Sequence, residues 1–322
     1  MIATLVLLLL ASTMYAPVAE QPPARNDDTP PFLVGVLRRD GIVSPFAAFD
    51  GKNWSVPWPA SLRFVEIPIG LDSVPSKWWG KGGPVEQMTA WIDGVNRGTL
   101  KVNKPTVVPV MCASQLGLAS DYRSPQPAPP LMVQPFPKDG LGVSGTQRVE
   151  PIETVAATSP DWGPAVPLLR EPFDQAEEDA TRAFTAWKHP VRKEDRRKLP
   201  IELEAMYRAP MDEPGWVAYY VEAVRRYPPG PDDDDCGLVT SARGWIIADP
   251  EGKRTVKITA RVTYCDRRGV VYMLPLGLLK ARGRTYWAYQ LSGYGREAYV
   301  IAHPQRKVIM QEVAFSPGSC PY

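Results

Sequence analysis

Histidine is scarce in this chain. Only His189 and His303 occur among 322 residues, and each is followed by proline. Histidine-based proton transfer, nucleophile activation or metal binding therefore has two side chains to draw on, neither with a partner nearby in sequence. Excess charge is also lacking: the formal net charge is +2, too small for the electrostatic footprint of a nucleic-acid binder. Long apolar runs are absent too. The one strongly apolar stretch, "IATLVLLLLA" at residues 2–11, is about half the length of a bilayer-spanning helix, so no transmembrane span is expected in the mature chain. There is no C-x-x-C pair, and Ser144 in "GLGVSGTQ" lacks the spacing of a nucleophile elbow. Asp232–Asp235 supply oxygen donors without the alternation, central glycine and closing acid of a calcium loop. No catalytic residue, metal site or cofactor is assigned.

What the chain does have is proline, tryptophan and turns. Its 36 prolines and 10 tryptophans, with 44% hydrophobic and 22% charged residues, suit a globular protein of short strands joined by turns. The apolar stretch reads as the core of a signal peptide over residues 1–19, cut after Ala16 or Ala19, although no Lys or Arg precedes it. The expected location is outside the cytoplasm: periplasm, cell envelope or extracellular space. There the four cysteines form two disulfides. Cys236 and Cys265 flank Asp249-Pro250-Glu251-Gly252, which has type I turn chemistry. A hairpin on that turn sets the two opposite each other, or one residue apart if a three-residue loop with a glycine bulge forms. Cys112 is left for Cys320.

Residues 20–31 read as a flexible leader and 32–123 as a β-rich region. Residues 124–215 hold a proline-rich linker, "SPQPAPPLMVQPFP", and a helical segment. In "REPFDQAEEDATRAFTAWKH" Pro172 suits a first-turn position, and Phe173, Ala176, Ala180, Phe184 and Trp187 recur at helical spacing. Glu177 and Glu178 read as solvated charges. Residues 216–322 contain strands from "WVAYYVEAVRRY" to "KVIMQEVAF" separated by short turns. In "TVKITARVTY", Val256, Ile258, Ala260, Val262 and Tyr264 alternate with polar residues, the period of a strand with one wet face. The fold class is mainly β (β-rich α+β), with a C-terminal antiparallel meander forming a sandwich or partly closed barrel and one clear helix mid-chain. "DGIVSPFAAFDGKNW" and "RGVVYMLPLGLLKARGRTYW" share an order of glycine, β-branched pair, proline, turn and tryptophan, which two hairpins under the same physical demands would also produce.

Tryptophan is the functional clue. Trp54, Trp58, Trp78 and Trp79 lie beside Gly or Pro in turn-rich sequence, and exposed indoles stack on sugars or anchor protein interfaces. The competing reading is that they fill a β-core. "KWWGKGG" is the stretch expected to be exposed, because adjacent residues on a strand face opposite ways. These residues predict an exported, non-catalytic protein acting by binding or assembly, its partner a glycan or a protein surface. The alternative is a secreted hydrolase acting on a polysaccharide or similar polymer through paired carboxylates. Asp72, Glu86, Asp93, Glu222 and Glu297 are its candidate acids.

Overall fold

The computed structural model describes residues 28–63, 65–183, 188–229 and 237–320. It begins with a barrel. Strands β1 (Phe32–Arg38) and β2 (Ile42–Phe49) form a hairpin across Asp40-Gly41, and β3 (Trp54–Ser55) follows the Asp50-Gly51 turn. In that second turn the Asp50 carboxylate accepts the amides of Lys52 and Asn53, which with Lys81 holds its pKa down to about 2. After β4 (Gln87–Ile92), β5 (Val95–Val110) and β6 (Ala113–Ser120), β7 (Lys138–Val143) returns beyond the proline-rich segment. The antiparallel order β1-β7-β4-β5-β6-β2 closes through the β1–β2 pairing, with β3 added outside. Glycine is needed at position 140 for this closure, because a side chain there would run into the Trp91 carbonyl of β4.

Two further sheets follow. The segment carrying β8 (Val149–Glu150) and β9 (Glu153–Thr154) leads into helix α1 (Trp162–Arg182) and the short α2 (Lys193–Arg196). One meander comprises β10 (Glu202–Pro210), β11 (Val217–Arg226), β12 (Leu238–Ala248) and β13 (Arg254–Tyr264). The next comprises β14 (Val271–Ala281), β15 (Arg284–Gly293), β16 (Arg296–Pro304) and β17 (Ile309–Ser319). β9 extends the first sheet beside β10, and β8 extends the second beside β14. The C-terminal meander expected from sequence is thus a sandwich, while the closed barrel lies in the N-terminal half.

Side-chain alternation stacks these pieces into layers. Leu33 and Leu37 point into the barrel, whereas Phe32, Val34 and Val36 pack against Tyr286, Ala288, Tyr299 and Ile301 of the β14–β17 sheet. Intervening residues Trp287, Tyr289, Val300 and Ala302 face the other way, onto Ala218, Tyr220, Trp245 and Ile247. Tyr219, Val221 and Ile246 then pack beneath α1. The order is barrel, sheet, sheet, helix. The two similar-looking sequence stretches are both strand, bulge, turn and strand: register shifts fall at Pro45 of β2 and Pro275 of β14, where a missing ladder donor is tolerated. Phe46 and Leu276, which follow those prolines, both enter the barrel–sheet core.

The helix starts earlier than its predicted first turn at Pro172, and its buried residues are Ala165, Leu169, Phe173 and Glu177. Glu177 is not solvated. It is 2% exposed and accepts Arg196 Nε and Arg225 Nη1, each at 3.0 Å, and the Tyr227 hydroxyl. Phe184 and Trp187 lie outside the described residues. A second buried ion pair joins barrel to sheet: Lys138 Nζ is 2.7 Å from Glu297 Oε1, which also accepts the Tyr299 hydroxyl. Burial pulls the Lys138 ammonium below its ordinary pKa against the opposing pull of Glu297.

Cys112, after β5, is bonded to Cys320, after β17, at a sequence separation of 208. In the β12–β13 hairpin Ala248 faces Arg254 and Leu238 faces Tyr264, one residue off the register that would set Cys236 opposite Cys265. Asp249 N–H donates to the Lys253 carbonyl across a three-residue loop in which Gly252 has φ +85°. Cys265 is disulfide-bonded, and its expected partner Cys236 lies outside the described residues.

Glu297→Gln strands a buried ammonium and should lower unfolding free energy by about 3–5 kcal/mol. Replacing Cys112 and Cys320 by serine should cost about 2–5 kcal/mol through the lost long-loop constraint. Urea titrations check both. A change below about 1 kcal/mol in either would contradict the role given to that link.

Candidate functional site

The four predicted tryptophans occupy the barrel and its seam with the sandwich. Trp58 and Trp79 are each 1% exposed and Trp78 is 9% exposed. Trp58 Nε1 donates to the Leu116 carbonyl at 2.7 Å, and both neighbours pack on its ring at 5.8 and 5.5 Å between centroids. The two indoles of "KWWGKGG" are therefore buried, contrary to the expectation, while Lys77 and Lys81 beside them are exposed. Ser76–Gly82 is 3-10 helical, so adjacent side chains diverge by about 120° and not by a strand's half-turn, and both indoles reach the barrel interior. Trp54 is half-buried in the seam, with Phe32, Phe49 and Tyr286 at 5.4, 5.3 and 5.3 Å.

Other sequence candidates have structural settings. Ser144 Oγ accepts the Leu33 amide at 2.8 Å. His303 Nε2 lies 2.7 Å from Asp212, and Gln305 approaches its Nδ1 at 3.2 Å. His189 accepts the Val191 amide on Nδ1, packs on Tyr227, and is pushed down to about pKa 4, chiefly by burial. Asp72, Glu86 and Asp93 are exposed and Glu297 is locked to Lys138. Asp232–Asp235 lie outside the described residues. Among the described residues, no His/Cys/Asp/Glu group is placed to hold a metal.

Glu222 stands apart, because it lies where the sandwich opens. The facing positions of β12 run Ile247, Trp245, Arg243, Ser241, and those of β11 run Ala218, Tyr220, Glu222. Along each strand the space between the sheets changes from apolar to polar. The opening has an outer and an inner part, whose walls share Arg243 and Thr259. The outer part, about 1190 Å³, is bordered by Tyr220, Trp245, Tyr289, Lys257 and Gln311 and extends along α1. The inner part, about 190 Å³, is lined by Glu204, Glu222, Ser241, Arg243, Arg261 and Arg296. Residues 265–270, which carry the chain from one sheet to the other, border it through Gly269 and Val270.

The electrostatics of the inner part are unusual for a sandwich. Glu222 and Arg243 are cross-strand neighbours, and the Met273 amide donates to Glu222 Oε1 at 2.5 Å. Burial still pushes the Glu222 carboxyl up to about 7, helped by Glu204 and opposed by the Met273 amide, Arg243 and Arg267. Glu204 itself is held by Arg267 and Arg226. Arg243, Arg261 and Arg296 form no ion pair among the described residues. Arg243 Nη1 and Ser241 Oγ are buried without hydrogen-bond partners. Around the outer part, burial raises the hydroxyl pKa values of Tyr220 and Tyr289.

Glu222 was one of five acids visible in sequence, but Arg243, Ser241, Tyr289 and Glu204 were missed. A signal exists: Glu222 and Arg243 each interrupt an apolar strand, in "YYVEAV" and "SARGWII". Compared with known proteins, the chain matches no protein family, no curated protein and no solved structure. The cleft is therefore read from its own geometry.

Because the Glu222 pKa rises from 4.5 to about 7 on folding, the folded state keeps a proton that the unfolded chain releases. Stability should fall as pH rises through that window. Glu222→Gln should remove this fall, gaining on wild type by on the order of 3 kcal/mol between about pH 5 and about pH 8. Parallel stability–pH curves from urea unfolding would show that Glu222 is not buried as described.

Proposed function

We propose that this is an exported, non-catalytic protein of the cell envelope or extracellular space that binds its ligand in the cleft between the C-terminal sheets. One observation carries the reading: inward-facing positions that fill a sandwich core with apolar groups hold Ser241, Glu222 and Arg243 beside an opening of about 1190 Å³. A concave opening with an aromatic border and convergent polar groups suits a glycan chain better than the flat face of a folded protein. The Cys112–Cys320 bond and the apolar stretch at residues 2–11 support export.

A second reading has its own observation. Glu222, with its raised pKa, shares the inner cleft with Glu204, and two carboxyl groups in unlike environments are the requirement for glycoside hydrolysis. The two readings separate on an oligosaccharide panel scored for binding and for cleavage. Binding without cleavage, weakened about tenfold by Tyr289→Ala, is the expected result. Cleavage abolished by both Glu222→Gln and Glu204→Gln would replace the binding reading with the hydrolase. Binding insensitive to every cleft substitution would remove the ligand from this site.

A further inference from the structure

We infer that the inner cleft is an anion site, in which Arg243, Arg261 and Arg296 receive an acidic group of the ligand and Ser241 Oγ donates to it. The inference rests on the cleft being the ligand site and adds the chemistry of what it takes: a carboxylate-bearing or sulfated glycan. Three guanidinium groups border a space of about 190 Å³, and none of them is ion-paired among the described residues. Arginine so placed presents a fork of donors that matches carboxylate and sulfate oxygens. A guanidinium nitrogen buried without a partner costs free energy that an incoming anion recovers. Ser241 Oγ, buried and unpartnered on the same wall, is a second, uncharged donor facing the same space.

The acids nearby do not cancel this charge. Glu204 is engaged by Arg226 and Arg267. On the α1 side of the outer cleft, Asp174 is taken by Arg225 and Asp179 by Arg182. Glu171, also on that side, is exposed. In the inner part the remaining acid is Glu222, faced by Arg243 of β12, Glu204 of β10 and Arg267 of the connecting segment. Its negative charge opposes an anion, so proton uptake by Glu222 strengthens the site. The ligand's acidic group therefore binds more tightly on the acid side of neutrality.

The test titrates sulfate, phosphate and galacturonate into the full chain at constant ionic strength, with chloride as the balancing anion and Trp fluorescence and thermal unfolding as readouts. Saturable binding in the millimolar range is expected. It should weaken about tenfold in Arg243→Met and about threefold in Arg261→Ser. Arg261 is exposed, so the second variant carries the comparison if the first does not fold. Galacturonate tighter than sulfate assigns a carboxylated glycan, and the reverse assigns a sulfated one. Affinity for sulfate and galacturonate should rise as pH falls from about 8 to about 6, and Glu222→Gln should flatten that profile. No saturable response in the wild type, or equal binding by both arginine variants, overturns the anion site. Neutral oligosaccharide binding without any anion response would overturn it while leaving the cleft as the ligand site. Anion binding with no oligosaccharide bound would keep the site and refute the glycan.

Discussion

The architecture depends on one constraint: the β14–β17 sheet is apolar on both faces. Tyr286, Ala288, Tyr299 and Ile301 look one way, and Trp287, Tyr289, Val300 and Ala302 look the other. A single layer leaves half of that surface in water, at about 25 cal/mol for each Å² exposed. The barrel covers one face and the β10–β13 sheet covers the other. Covering has a further consequence, because the β10–β13 sheet then has its own outer apolar face, over which α1 lies. Each layer is required by the one beneath it. The buried pair Lys138–Glu297 lies at the first seam and the Glu177 cluster at the last. Ion pairs there favour one alignment of apolar layers that hydrophobicity alone would let slide.

How much of this was legible in the residues follows from the same layering. The strands from "WVAYYVEAVRRY" to "KVIMQEVAF" were readable because turns separate them and "TVKITARVTY" alternates cleanly. That alternation survives because the odd-numbered face of β13, with Thr255, Lys257, Thr259 and Arg261, is exposed. Strands covered on both sides, such as "TYWAYQLSG", have no alternation to reveal which partner each face takes. The barrel was hidden for another reason: β7 is short, carries Gly140 and Gly142, and lies beyond a run of prolines. The helix boundary was obscured by Pro167 and Pro172, both of which the helix contains.

The candidate site was less legible, and the tryptophans that the sequence offered are buried or half-buried. Tryptophan is large enough to fill a barrel end, and Trp58, Trp78 and Trp79 do so. The informative residues were the sparse polar ones on apolar strands. A buried polar group needs a compensating partner, so Glu222 and Arg243 carry more information per residue than any tryptophan in the chain. Their meaning emerges only when strand register sets them side by side next to an opening.

The short passage from Val149 to Thr154 gives the sandwich a handedness of access. It pairs with β14 through β8 and with β10 through β9, stitching the two sheets along one border, where the Tyr207 hydroxyl also reaches the Met273 carbonyl. At the opposite border β13 and β17 are not paired as strands; the Lys257 ammonium of β13 donates to the Lys307 carbonyl ahead of β17, and the outer cleft lies beside them. The sandwich is bound like a book, with its spine at β8 and β9. In the proposed binding mode a long polymer lies along the β13–β17 margin, and only a side group reaches toward the spine.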